Sequence, residues 1–349
     1  MKIPVGVLGA TGAVGQRFVQ LLDGHPWFDL VAVAASERSA GKPYGEACAW
    51  KLDTPMPAAA AALVVQPTEP GVAGRLVFSA LDAGVAGPIE EAFAAAGYAV
   101  LSNARNHRMA EDVPLLVPEV NPDHTALIEI QRRRRGWQGY IATNPNCSTA
   151  TLVLALAPLA RRFGLKAVVV TTLQAVSGAG YPGLPSLDIL GNVIPYIAGE
   201  EEKIERETRK ILGTFAGGVV TPHSATVSAT TTRVPVVDGH TASVFATLGS
   251  DPGLEAVREA IRAYRGVPQE KGLPSAPRHP TLLAEQEDRP QPRLDINLER
   301  GMASIVGRIR RCDVMGYKFV VLGHNTIRGA AGAAILNAEL LKAQGLLPL

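Results

Sequence analysis

Cysteine is scarce in this chain: Cys48, Cys147 and Cys312 are the three among 349 residues. An odd number so thinly spread makes no disulfide framework and points to a reducing compartment, the cytoplasm. No run of about 20 apolar residues is present, which argues against a transmembrane helix. The opening Met1-Lys2-Ile3-Pro4-Val5 passes straight into a strand-like stretch, without a signal peptide's apolar core and cleavage site. Neither sign of charge is in excess: Lys and Arg number 34 against 32 Asp and Glu, a net charge of +2. That balance gives no reason to expect nucleic acid or a membrane surface as partner. The one basic run, Arg132 to Arg135, is followed by Gly136 and reads as a solvated loop or helix end. Internal repeats are also missing.

Glycine (35) and proline (26) are plentiful instead, as a long chain alternating strands and helices requires. The length suits two domains better than one core. Ile3 to Leu8 reads as a strand, Gly9 to Gly15 as a glycine turn, and Gln16 to Leu22 as a helix with Val14, Phe18, Leu21 and Leu22 at helical spacing. Leu30 to Ala34 is a second strand, which completes a βαβ unit with a parallel sheet. Arg75 to Ala80 and Ala99 to Asn103 read as further buried strands, with a helix over Pro88 to Ala96 between them. Met56 to Val65 reads as helix or loop. Ser148 to Arg162 is a strong helix, after which the texture turns β-rich, over 167–174, 227–236, 241–248 and 318–322. Leu273 to Pro292, dense in proline and charge, reads as a long surface loop, and Ala330 to Gln344 as a closing helix.

Gly9, Gly12 and Gly15 stand between a strand and a helix, where glycine lets the backbone approach a pyrophosphate that the helix N-terminus stabilises. Thr11, Ala13 and Val14 share that turn. An NAD site places a carboxylate about 20 residues further on. Here the corresponding stretch offers Ser36, Arg38 and Ser39, with Lys42 near by, donors suited to the 2′-phosphate of NADP.

Cys147 lies between a proline-containing turn and a long helix, where unpaired N–H groups would lower a thiol's pKa and serve an oxyanion. Flanked by Asn146 and Ser148, it is a poor core position and a good nucleophile. Cys48 and Cys312 read as structural. A base must accompany the thiol; the residues alone leave His240, at a strand start after Gly239, and His324 both open. His25, His107, His124, His223 and His279 fall in loop-like contexts where solvation is the expectation.

Taken together, Asn144-Pro145-Asn146-Cys147-Ser148-Thr149, Leu173 to Gly180, Glu200-Glu201-Glu202-Lys203, Arg233 with His240, and Asn325 to Ala331 closely resemble the aspartate-semialdehyde dehydrogenases. Ser36 to Lys42 and Ser102 to Arg108 resemble the archaeal and fungal branch, which also includes malonyl-CoA reductase. The resemblance runs from Gly9 to the last helix. It implies an α/β fold: a Rossmann-like NADP-binding domain over 1–146 completed by a C-terminal helix (326–349), and an α+β catalytic and dimerisation domain with a mixed sheet over 147–325. It implies that Cys147 attacks the carbonyl carbon, that His240 is the acid/base, and that Gln174 orients the acyl group. Arg233 would grip the substrate carboxylate, Glu200 its amino group, and Arg108 and Lys203 the phosphate. Ser79, Ala80, Ser177, Gly178 and Asn325 would join the glycine turn around the cofactor. The substrates implied are aspartyl phosphate, aspartate semialdehyde and phosphate, handled by a homodimer or homotetramer without a metal. Three alternatives stand beside this: coenzyme A as leaving group in place of phosphate, an N-acetyl-glutamyl-phosphate reductase, and a cofactor-sensing regulator without catalysis.

Overall fold

The computed structural model describes residues 1–348. Its first sheet comprises β1 (Ile3–Leu8), β2 (Phe28–Ala35), β3 (Val65–Pro67), β4 (Leu76–Ser79), β5 (Ala99–Ser102) and β6 (Tyr140–Thr143). All pairings are parallel and the spatial order is β3-β2-β1-β4-β5-β6. That order is the doubly wound nucleotide-binding arrangement. Alternation along each strand serves two separate cores. Val7, Val33, Phe78 and Leu101 face the helices Ala13–Leu22 and Gly332–Ala343, while Leu8, Val77, Val100 and Ile141 face Phe93 and Ala94 of the helix Ala83–Ala95. That last helix begins well before Pro88, which therefore lies inside it.

The second sheet contains β7 (Leu165–Gln174), β10 (Thr226–Arg233), β11 (His240–Leu248), β12 (Thr281–Ala284), β13 (Ser304–Cys312) and β14 (Gly316–Gly323), in the order β10-β7-β11-β14-β13-β12; β8 (Thr214–Ala216) and β9 (Val219–Thr221) form a separate hairpin. One face is covered by the helices Cys147–Phe163, Glu200–Ile211 and Leu254–Arg262, through Leu152, Leu156, Ile204 and Val257 among others. The opposite face is open: Val169 and Leu173 on β7 are 42% and 39% exposed.

Several expectations need correction. Leu273 to Pro292 is not all loop, because Thr281–Ala284 pairs in parallel with β13 as the sheet's edge strand. Four residues between prolines and charges carry too short an alternation to reveal a strand. His25, His107 and His124 are buried rather than solvated. His25 meets Glu339 at 2.8 Å, and His124 Nδ1 meets the Asn121 amide at 2.9 Å.

The chain's last described segment returns to the first sheet. Ala331, Ala334, Ile335, Ala338, Leu341 and Leu347 pack in the same core as Val7 and Phe18. On this packing we propose the division made above, with a break at Cys147 and a return near 326; Leu349 lies outside the described residues. The return is clamped by a bidentate ion pair between Arg328 and Glu119, at 2.8 and 2.7 Å and almost wholly buried.

Replacing Glu119 by alanine would strand the Arg328 guanidinium in a dry site. The unfolding free energy read from urea titration should fall by roughly 3–5 kcal/mol. A loss below about 1 kcal/mol would mean that the pair behaves like one on the surface.

Candidate active site

The site assembles from a row of three residues and a helix end. Gln174 and Arg233 close β7 and β10 and face each other in parallel register, Arg233 opposite Gln174. β11 runs antiparallel to β7 with Thr241 opposite Leu173, so His240 stands level with Gln174 on the other side. All three are buried on the helix-covered side. The helix Cys147–Phe163 brings its first residue to this row, and Cys147 Sγ lies 3.2 Å from His240 Nε2. His324 sits instead in the wall of a neighbouring cleft, with Arg17 and Asp238.

The ring of His240 has a fixed protonation pattern. The Ala175 backbone N–H donates to its Nδ1 at 3.0 Å. In the neutral ring the proton must then reside on Nε2, aimed at the sulfur. Burial, then Arg233 and His324, push the imidazole down to about 3, so an imidazolium is disfavoured twice over.

The helix end lowers the thiol's pKa through the Ser148 N–H, as expected, but this pull is outweighed. Asn146 caps the helix by accepting the Ser148 and Thr149 N–H groups at 2.9 and 3.2 Å, which takes up two of the first-turn donors. Burial, with the Glu200 carboxylate adding to it, pushes Cys147 up to about 12, against the opposing pull of Arg108 and Arg233.

The other expected residues fall on two sides. Glu200 Oε1 accepts from Asn146 Nδ2 at 2.5 Å, and Lys203 Nζ meets Glu200 Oε2 at 3.1 Å. Arg108 donates to Glu207 at 3.0 Å and to the Asn103 carbonyl at 2.6 Å, and its buried Nε has no partner among the described residues. Arg233 Nη1 donates to the Ala175 carbonyl at 2.8 Å. Gln174 Nε2 reaches Thr172 Oγ1 at 3.3 Å and makes no hydrogen bond to Cys147. Glu207 and Lys210 escaped the sequence reading, although with Glu200 and Lys203 they recur at helical spacing on one face.

Toward the first sheet, Gly9 has a φ of +73° and a Cβ there would lie 2.7 Å from the Ala80 carbonyl oxygen. Gly15 is tighter still, its Cβ falling 2.2 Å from Gly9 O. Thr11, Ala13 and Val14 are half-buried at the start of a helix that has no capping side chain and no acidic first-turn residue, an arrangement open to an anion. Ser36 and Arg38 are exposed just past β2, with Ser39 beside them, and no carboxylate pairs with Arg38 among the described residues. Ser79 is fully buried at the end of β4 and Ala80 half-buried after it. A cleft of about 710 Å³ runs from Ala13 and Gln16 to Ser177, His324 and Thr326. Asn325 braces its floor, accepting from Gly239 N–H at 2.8 Å and donating to Ser177 Oγ at 2.7 Å.

The chain is similar to known proteins over nearly its whole length. Residues 4–128 match the family model described as semialdehyde dehydrogenase, NAD binding domain, and residues 156–328 the one described as semialdehyde dehydrogenase, dimerisation domain. The aspartate-semialdehyde dehydrogenase of Methanothermobacter thermautotrophicus is 54% identical over 97% of this chain and 99% of its own length. The chain belongs to the aspartate-semialdehyde dehydrogenase family. The enzyme of that name from Cryptococcus neoformans is 51% identical, over 99% of this chain and 98% of its own. The crystal structure of the Candida albicans aspartate-semialdehyde dehydrogenase with NADP superposes with a TM-score of 0.91 at 45% identity, covering 99% of this chain and 100% of that one. Membership makes the chain an oxidoreductase.

Two measurements test this geometry. Without ligands, iodoacetamide alkylation of Cys147 should accelerate about tenfold per pH unit from pH 7 to 9, because a raised thiol pKa leaves only a small thiolate fraction that grows with pH. A rate already level at pH 7 would reveal a thiolate–imidazolium pair and refute the proton placement. Separately, a Cβ on Gly178 would lie 2.7 Å from Arg233 Nη1 and 3.0 Å from His240 Nε2. Gly178→Ala should therefore lower kcat on the order of 10²-fold with little change in melting temperature; full activity would show that this approach is not needed.

Proposed function

We propose that the chain catalyses the reversible, NADP-dependent reductive dephosphorylation of L-aspartyl 4-phosphate to L-aspartate 4-semialdehyde, a step of lysine, threonine and methionine biosynthesis. The observation that carries this reading is the 3.2 Å contact of Cys147 with His240, set among Arg108, Arg233 and Glu200, in a chain about half identical to enzymes of that name. Cys147 Sγ attacks the acyl carbon, and phosphate departs toward Arg108 and Lys203. A thioester on Cys147 is left. When bound, NADP supplies or accepts the hydride at this carbon. Collapse of the tetrahedral oxyanion releases the aldehyde and returns the thiolate.

Attack by the buried thiol releases its proton, which ends on the departing phosphate, and the thiolate left after collapse regains one from solvent. His240 is the acid/base of this reading, with Nε2 facing the sulfur at 3.2 Å and the oxyanion that forms beside it. Arg233 holds the α-carboxylate, Glu200 the α-amino group, and Gln174 the acyl group. The uncapped glycine turn (Gly9, Thr11, Gly12, Ala13, Val14) suits the pyrophosphate and Ser36, Arg38 and Ser39 the 2′-phosphate. Ser79, Ala80, Ser177, Gly178 and Asn325 complete the cofactor's surroundings. The open face of the second sheet, with Val169 and Leu173, supports a homodimer or a tetramer built from it. No helix among the described residues is long and apolar enough to cross a membrane; the free cysteines support a cytoplasmic enzyme. The relatives at half identity bear the phosphate reading and give no support to coenzyme A as leaving group.

Absorbance at 340 nm decides between them. NADPH should form from aspartate semialdehyde, phosphate and NADP, and Cys147→Ala should abolish that signal while NADP still binds. Turnover of malonyl-CoA with NADPH and none of the semialdehyde would overturn the assignment.

A further inference from the structure

Glu200, Lys203, Glu207 and Lys210 lie along one face of the helix Glu200–Ile211, and three of them are buried. Glu207, only 2% exposed, divides its two oxygens between two parts of the site. Oε1 accepts from Arg108 Nη1 at 3.0 Å, and Oε2 accepts from the Asn146 backbone N–H at 2.6 Å. Lys210 donates to the carbonyls of Arg108, Ala110 and Val113 at 2.7, 2.8 and 2.9 Å, which pins the loop bearing Arg108 to the same helix.

We propose that Glu207 is a positioning residue, a strut that sets the distance between the phosphate-gripping Arg108 and the cap of the Cys147 helix; this rests on the reaction proposed above. A buried carboxylate is a costly way merely to fill space. Its charge also offsets part of the Arg108 charge, so phosphate is held but can leave. The unpartnered Arg108 Nε remains for the phosphate oxygens.

The strut has a signature that simple structural damage lacks. Glu207→Gln keeps the shape but cannot accept from both partners and no longer offsets Arg108. It should slow the single-turnover NADPH burst from semialdehyde and NADP roughly tenfold, and lower the phosphate KM about threefold. Lys210→Met loosens only the Arg108 loop, so it should raise the phosphate KM and leave the burst rate unchanged. KM shifts of opposite sign from neighbours on one helix face would support the strut. An unaltered burst and phosphate KM in Glu207→Gln would overturn it, as would equal losses of burst and kcat in both variants at unchanged KM. Should Glu207→Gln not fold, Glu207→Asp keeps the charge but falls short by one methylene; it should slow the burst without lowering the phosphate KM, and a normal burst would reject the proposal. Absence of phosphate-dependent NADPH formation in the unaltered protein would instead sink the reaction assignment.

Discussion

The hydrogen bonds of Asn146 hold this site together. Its N–H goes to Glu207, its carbonyl to the Ala150 N–H, its side-chain oxygen to the Ser148 and Thr149 amides, and its side-chain amide to Glu200. Every polar group of the residue is engaged, in a place with little water to substitute for a lost partner. The residue next in the chain is therefore delivered at a set height above the second sheet. Gly329 shows how close the delivery is, since a Cβ there would lie 2.6 Å from that of Cys147. The nucleophile is seated by backbone packing on one side and by carboxylates on the other.

The second sheet supplies the complementary constraint. Gln174, Arg233 and His240 come from strands of different direction, yet hydrogen-bond register sets them in one row. A slip of one residue in β11 would turn His240 to the open face and remove it from the thiol. The Ala175 amide, one residue beyond Gln174, then orients the imidazole. Strand pairing and proton placement are thus one and the same specification.

Local features were legible in the sequence, and those that depend on pairing across the fold were not. The glycine turn and the helix after Cys147 could be read because their signals, closely spaced glycines and apolar spacing, are contiguous. The choice between His240 and His324 could not, since it turns on which strand lies beside β7. Glu207 and Lys210 looked like an ordinary charged helix face; their spacing was visible, but not the carbonyls and amides waiting opposite. The thiol was expected to be acidic from its helix position alone, and the nearby Glu200 carboxylate and the dry surroundings reverse that. His25, His107 and His124, expected in water, are buried, and the partner of His25, Glu339, lies some three hundred positions later.

The core of the first sheet has a consequence for how the chain is made. Val7 and Phe18 share it with Ala331, Ile335, Ala338 and Leu341, residues some three hundred positions later. During synthesis a ribosome emits the whole glycine turn and sheet long before the helix that closes over them. The nascent nucleotide-binding half must wait with one apolar flank uncovered while the second sheet is built. Folding therefore cannot proceed strictly from first residue to last, and a circular permutant that joins the last helix directly to β1 would remove that delay.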